Sequence, residues 1–283
     1  MLSPAILKMA PVPQDLAPHL VGFVHRDDFQ GGNVVRLLPE VRCSIQIMMA
    51  DPLWLRASNP EACWMKVPRV SLWWPKYNWC YGFSTRHIAV YAVILTPGAL
   101  KRLTSLPTSV GVNSVQPLAK YSAALCKNLE PLPSEKFDAW RIRAIVQLRA
   151  FFAASKSVDD VLLQATQVLS TGDGTVVAKA AEAAGYSQRQ FQRVFKDLYG
   201  VSPKRFQRAI RVDRMVRQIH LNAWEKDEFD SPIAFADQPH AIREFRALTG
   251  MTPRQYVLAK RANQATLRSV PVAGIAPPDA ALG

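Results

Sequence analysis

The segment Ser187 to Phe206, SQRQFQRVFKDLYGVSPKRF, returns 50 residues later as Asp237 to Tyr256, DQPHAIREFRALTGMTPRQY. The pairs Gln188/Gln238, Arg193/Arg243, Phe195/Phe245, Leu198/Leu248, Gly200/Gly250 and Pro203/Pro253 are identical. Lys196/Arg246, Ser202/Thr252, Lys204/Arg254 and Phe206/Tyr256 keep their chemistry. Self-similarity at a fixed offset means one supersecondary unit used twice.

The unit reads as a capped helix followed by a second one. Ser187 is placed to cap, and Gln190 three residues on completes a capping box, with Tyr186 and Phe191 at the staple positions. Phe191, Val194, Phe195 and Leu198 recur at i, i+3, i+4 and i+7, one apolar stripe of a helix. Arg189, Gln192, Arg193 and Lys196 repeat that spacing on the opposite face. Gly200 ends the helix, Ser202 caps the next, and Pro203 takes its first position. Upstream, Val176 to Ala184 is a short Ala-rich helix closed by Gly185. A helix, a Gly-containing turn and a capped helix with a basic outer face make a helix-turn-helix.

Charge concentrates on the same place. The chain carries a formal net charge of +13, which favours an acidic partner. Between residues 186 and 218 stand Arg189, Arg193, Lys196, Lys204, Arg205, Arg208, Arg211, Arg214 and Arg217, opposed by Asp197 and Asp213 alone. Arg suits bidentate contact with phosphate and guanine. A charge run by itself is usually a solvated helix face; a repeated helix-turn-helix beneath it points to DNA.

At these residues the sequence resembles the AraC/XylS family of bacterial transcription regulators. The motifs are Ala180, the Gly185-Tyr186-Ser187 turn, the R-x-F-K run from Arg193 to Lys196, and G-x-S-P from Gly200 to Pro203. R-x-F-R from Arg243 and G-x-T-P from Gly250 repeat them, and the likeness spans about Thr175 to Arg261. The resemblance implies two helix-turn-helix units joined by a long helix. Here that helix runs from Pro203 to about Leu221, about 28 Å at 1.5 Å per residue. It implies DNA contacts at Gln188, Arg189, Gln192, Arg193 and Lys196 in the first unit, and at Gln238, Arg243 and Arg246 in the second. Pro239 and Ile242 fall where further base-reading side chains would sit, Ala234 stands where the first unit has Gly185, and Pro232 lies in the preceding helix. The second unit is therefore expected to read bases less than the first.

The rest of the chain changes period. Residues 1–20 hold four prolines and read as a loose arm. Residues 21–116 read as β-rich, with strands expected at Val34–Leu38, Arg42–Met49, Ala62–Val70 and Ile88–Leu95, then a short helix over Gly98–Leu106. Residues 117–170 turn helical: Trp140, Ile142, Ile145, Val146, Leu148, Phe151 and Phe152 form a broad apolar face, and Val158–Leu169 continues as another helix. Thr171 to Gly174 reads as a hinge before the double helix-turn-helix of residues 171–262, and residues 263–283 as a disordered tail. The fold class is α+β: a β-rich N-terminal domain and an all-α C-terminal domain.

The resemblance implies that the β-rich segment is a cupin-like sensor that binds a small effector and supports a homodimer, with promoter DNA and RNA polymerase as partners. Leu38-Pro39-Glu40 and Thr96-Pro97-Gly98-Ala99 resemble the sensor of one AraC subgroup. Trp54, Trp64, Trp73, Trp74 and Trp79 crowd this segment, either lining an effector pocket or building a small β core. The enzyme alternative is a metal-dependent cupin fused to a DNA-binding domain. Its candidate ligands are His25, His87, Cys43, Cys63 and Cys80, and no two lie at metal-motif spacing. No nucleophile elbow, P-loop or dinucleotide glycine pattern occurs, so no catalytic residue, metal or cofactor is expected. No apolar run nears the ~18 residues of a membrane span; the longest is Ile88 to Leu95. Four dispersed cysteines without a CxxC pair suit a reducing cytoplasm.

Overall fold

The computed structural model describes residues 6–28, 32–59, 61–153, 176–225, 239–263, 269–272 and 274–279. The N-terminal part is built from strands β1 (Ile6–Ala10), β2 (Leu20–Asp28), β3 (Val34–Leu37), β4 (Cys43–Met48), β5 (Trp54–Ala57), β6 (Met65–Lys66), β7 (Val70–Trp73), β8 (Cys80–Phe83), β9 (Ile88–Leu95) and β10 (Val115–Pro117). They form two antiparallel sheets, one ordered β1-β2-β9-β4-β7-β10. The other is ordered β11-β3-β8-β5-β6, where β11 (Ser269–Pro271) comes from the far end of the chain.

The apolar run Ile88–Leu95 is the centre of the larger sheet, bonded to β2 on one side and β4 on the other. Side chains alternate faces along a strand, and β9 is buried on both. Ile88, Val90 and Ala92 pack with Met48, Leu53, Leu55 and Val67 between the sheets. Tyr91, Val93 and Leu95 face a second core with Trp140, Ala144 and Leu148. Those last residues belong to helix α3 (Phe137–Ala153), which follows α1 (Pro97–Thr104) and α2 (Ala123–Leu129). Thr96 caps α1 through Ala99 N, and Pro97 sits in its first turn.

Several expectations change. Residues 1–20 were expected to be loose, yet β1 pairs along its length with β2, and Lys8 reaches Asp138 at 2.7 Å. The expected strand Ala62–Val70 is divided into the two-residue β6 and the start of β7. Pro68 lies in the gap, and proline lacks the N–H a ladder needs. Strands β2, β5 and β8 were not expected. On α3 the buried stripe is Trp140, Ala144, Leu148 and Phe152, while Ile142 and Val146 face solvent. The tail expected to be disordered supplies β11, held because Val270 is buried against β3 and Val272 N bonds Val34 O. The expected helix Val158–Leu169 and the hinge at Thr171–Gly174 lie outside the described residues.

The C-terminal part is helical: α4 (Val176–Ala183), α5 (Gln188–Tyr199), α6 (Pro203–Glu225), α7 (Pro239–Thr249) and α8 (Pro253–Asn263). The joining helix α6 has 23 residues, about 34 Å at 1.5 Å per residue. Its core gathers Phe191, Phe195, Leu198, Phe206, Phe245 and Tyr256. Leu38, Tyr77 and Val270 belong to the same cluster, so the two parts share one apolar core.

Candidate nucleic-acid interface and internal cavity

The first unit is assembled by local chemistry. Ala180 and Ala181 are buried at the end of α4, where small side chains let α5 approach. Gly185 makes the turn. Ser187 Oγ accepts from Gln190 N at 3.3 Å, and Gln190 Oε1 accepts from Ser187 N at 3.1 Å, so the capping box forms. Phe191, Phe195 and Leu198 are buried, and Phe195 stacks on Tyr199 at 4.4 Å between ring centres. With that stripe inward, Gln188, Arg189, Gln192, Arg193 and Lys196 are all exposed on the outer face.

The second unit follows the same plan. Phe245 and Leu248 are buried in α7, and Arg243 and Arg246 are exposed. Gln238, like Pro232 and Ala234, lies outside the described residues. A second capping box opens α8: Thr252 N donates to Gln255 Oε1 at 2.8 Å and Gln255 N to Thr252 Oγ1 at 3.2 Å. Its T-x-x-Q signature was readable in the sequence and was missed.

The basic run is not uniform. Glu244 of α7 is buried and accepts from Arg208 Nε at 3.0 Å and from Arg211 Nε and Nη2 at 3.2 and 2.9 Å. His240 Nε2 stands 3.3 Å away, one turn earlier on α7. Burial raises the Glu244 carboxyl, but hydrogen bonds and charge from Arg211, with His240 and Arg208, outweigh it and hold the group below the usual carboxylate range. Arg217 pairs with Asp213. Arg208 and Arg211 therefore bind α7 to α6, and the outward positive charge of the recognition helices rests on Arg189, Arg193, Lys196, Arg243 and Arg246, with Lys204, Arg214 and Arg254 exposed on α6 and α8.

A cavity of about 190 Å³ opens between the sheets, with Leu37, Leu53, Trp73 and Val90 among its walls and Arg26, Arg42 and Lys76 at its polar side. A second, of about 350 Å³, is lined by Leu55, Met65, Trp73, Trp79 and Asn113 among others. Trp73 and Trp74 touch both cavities, and Trp79 touches the second. Trp54 and Trp64 line neither. Lys66 lies over the Trp54 ring, and Trp64 Nε1 donates to Ala276 O.

The candidate metal ligands are dispersed. His25 stacks on Phe137, and His87 pairs with Asp27 at 2.6 Å. Cys43 is buried with its thiol pushed up to about 12 by that burial, Cys63 is exposed, and Lys76 donates to Cys80 Sγ. Among the described residues no three His, Cys, Asp or Glu side chains gather as metal ligands. No helix among them is long and apolar enough to cross a membrane.

A helix pair ending in α5, and a further helix α7 joined to it through α6, each with a buried apolar stripe and a basic outer face, fit a helix-turn-helix DNA-binding domain. Residues 180–259 match a family described as a helix-turn-helix domain, and this segment is of the AraC type. No curated protein matches the sequence. Among solved structures the chain is similar to ToxT from Vibrio cholerae, at 8% identity and a TM-score of 0.44, over 83% of this chain and 98% of that one. It is similar to the AraC-like transcriptional activator CuxR, at 13% identity and 0.29, over 77% and 96%. A cupin domain from Bordetella pertussis Tohama I is similar at 12% identity and 0.23, over 34% and 97%.

Proposed function

We propose that the chain is a sequence-specific transcription regulator that binds promoter DNA through α5 and α7, with no chemistry of its own. One observation carries this: Arg189, Gln192, Arg193 and Lys196 form a continuous exposed row on a capped helix whose other face is buried. In a major groove such a row presents donors to base edges and phosphates. The second unit reads less, since Pro239 donates nothing and Ile242 offers only an apolar surface. The protein works in the cytoplasm as a homodimer and acts on RNA polymerase at the promoter.

The test is a randomised-operator selection on wild type, Arg193→Ala and Lys196→Ala. Arg193→Ala is expected to cost about 1–3 kcal/mol and to relax one base position. Lys196→Ala is expected to weaken all sequences equally, as a phosphate contact does. Uniform weakening by both would assign Arg193 to phosphate and remove the basis for sequence reading by α5.

The N-terminal domain, in the same proposal, binds a small effector between its sheets. The walls are mostly apolar, and Arg26, Arg42 and Lys76 line the cavity against a single carboxylate, Glu40, which favours an apolar molecule with an acidic head. A medium-chain carboxylate is expected to change the fluorescence of Trp73 and Trp74, and its methyl ester to bind at least about tenfold more weakly, the worth of one charge-assisted hydrogen bond. Equal binding of acid and ester would remove the acidic head from this reading.

A further inference from the structure

Both recognition helices end against the N-terminal domain. At the end of α5, Thr108 Oγ1 donates to Leu198 O at 2.8 Å and Tyr77 Oη donates to Tyr199 O at 2.8 Å. These are orphan carbonyls of a helix C-terminus, which need donors from outside the helix. At the end of α7, Arg36 Nη1 donates to Gly250 O at 2.8 Å. The glycines at the two ends are equivalent positions of the internal repeat, and both have positive φ, +79° at Gly200 and +74° at Gly250. Each is also a point of close approach. A Cβ on Gly200 would meet Val112 at 2.3 Å, and one on Gly250 would meet the Trp79 ring at 2.6 Å.

The gripping side chains are held in place. Arg36 lies 4.3 Å over the Trp79 ring, and its strand β3 is bonded to β8 on one side and to β11 on the other, with Val270 as its register partner. Because β11 follows α8 in the chain, the second unit is tied to β3 twice, through Gly250 and through the strand. Arg205 of α6 donates to Asn78 beside Tyr77, and Lys101 of α1 pairs with Asp197 of α5 at 3.6 Å. None of these contacts covers Arg189, Gln192, Arg193, Arg243 or Arg246, which stay exposed.

We infer that the N-terminal domain grips the C-terminal ends of both recognition helices and thereby sets the spacing between the two half-sites of one protomer. Two helix-turn-helix units joined by a single helix share one connection, and their relative angle then depends on that helix alone. Here each unit has a second attachment to the N-terminal domain, at Tyr77, between β7 and β8, and Thr108, between α1 and β10, for the first, and at Arg36 on β3 for the second. Trp79 lines the larger cavity and touches Gly250, so the cavity and the second unit share a wall.

The inference rests on the DNA-reading proposal, and the experiment separates the two. The full chain, as wild type, Arg36→Ala and Tyr77→Phe, is run through selection on operators whose half-sites are fixed and whose spacer varies by single base pairs. Thermal unfolding of each protein checks that it folds. Wild type is expected to favour one spacer. Arg36→Ala is expected to raise relative affinity for the neighbouring spacers by about tenfold, the loss of one hydrogen bond from a charged group, with the base preference under α5 unchanged. Tyr77→Phe removes one neutral hydrogen bond and is expected to broaden the spacer profile by about threefold. If Arg36→Ala fails to fold, Tyr77→Phe, which loses only a hydroxyl, decides the question. A folded variant with the wild-type spacer profile overturns the inference while leaving DNA reading intact. A wild-type protein with no preference for any sequence overturns both.

Discussion

Raising salt from 50 to 200 mM is expected to lower the affinity of the full chain for its operator by about 10²–10³-fold. The argument is counterion release: each phosphate neutralised by Lys or Arg frees condensed cations, and log K falls with log salt at a slope of about −0.9 per phosphate. The cations counted are those exposed on α5 and α7, with Lys204 at the start of α6: Arg189, Arg193, Lys196, Lys204, Arg243 and Arg246. With Arg193 assigned to a base, roughly four to five remain for phosphate, and a fourfold change in salt then gives that range. Arg208 and Arg211 are left out of the sum because Glu244 holds them. A salt titration by fluorescence anisotropy measures the slope. A slope of zero would mean that these side chains touch no phosphate. A slope near −6 would mean about two further phosphate contacts, the number that Arg208 and Arg211 would add on leaving Glu244.

Phe195→Ala is expected to destabilise the helical domain by about 3–5 kcal/mol. Phe195 is fully buried; its ring stacks on Tyr199 and meets Phe206 edge-on at 5.4 Å. Truncation leaves a cavity where α5 crosses α6, and the capping box and Gly200 cannot close it. Domains of ordinary size have about 5–15 kcal/mol in all, so the loss takes a large part of it. Because Leu38 and Tyr77 belong to the same cluster, the damage is expected to reach the N-terminal domain and to shift unfolding of the whole chain. Denaturant unfolding followed by circular dichroism measures this. Ile142→Ala on α3, 62% exposed, is the control and should stay within about 0.5 kcal/mol. Equal effects from both would mean that Phe195 lies outside the cooperative core.

The internal repeat made the helical domain legible because its determinants are local. A cap such as Ser187 with Gln190, a stripe such as Phe191, Phe195 and Leu198, and a terminating glycine act within about ten residues, so their spacing in the chain is their spacing in space. The exposed row of α5 follows from that stripe, since burying one face of a helix exposes the other. The run Ile88–Leu95 announced a buried strand for the same reason. Much of the β domain was less legible. Strands β2, β5 and β8 carry Gly22, His25, Arg56 and Gly82 within them, and they are strands because neighbours bond both of their edges.

Other features had no local signature at all. Arg208 and Arg211 look like DNA-contacting cations in the chain; a buried carboxylate more than 30 residues away pairs with both. Ser269–Pro271 has the composition of a tail, and an open edge of β3 makes it a strand. Arg36, Tyr77 and Thr108 carry no motif, yet they meet the ends of helices 90 to 214 residues away. By itself the sequence determined the first helix-turn-helix unit, its capping box and the exposed basic row of α5, because helices are written by neighbours in the chain. Only the tertiary structure decided which cations Glu244 holds, where the tail goes and what meets the C-terminal ends of α5 and α7. Ion pairs, strand edges and orphan carbonyls are satisfied by whatever folding brings near, and nearness across 100 or more residues is a property of the packed molecule.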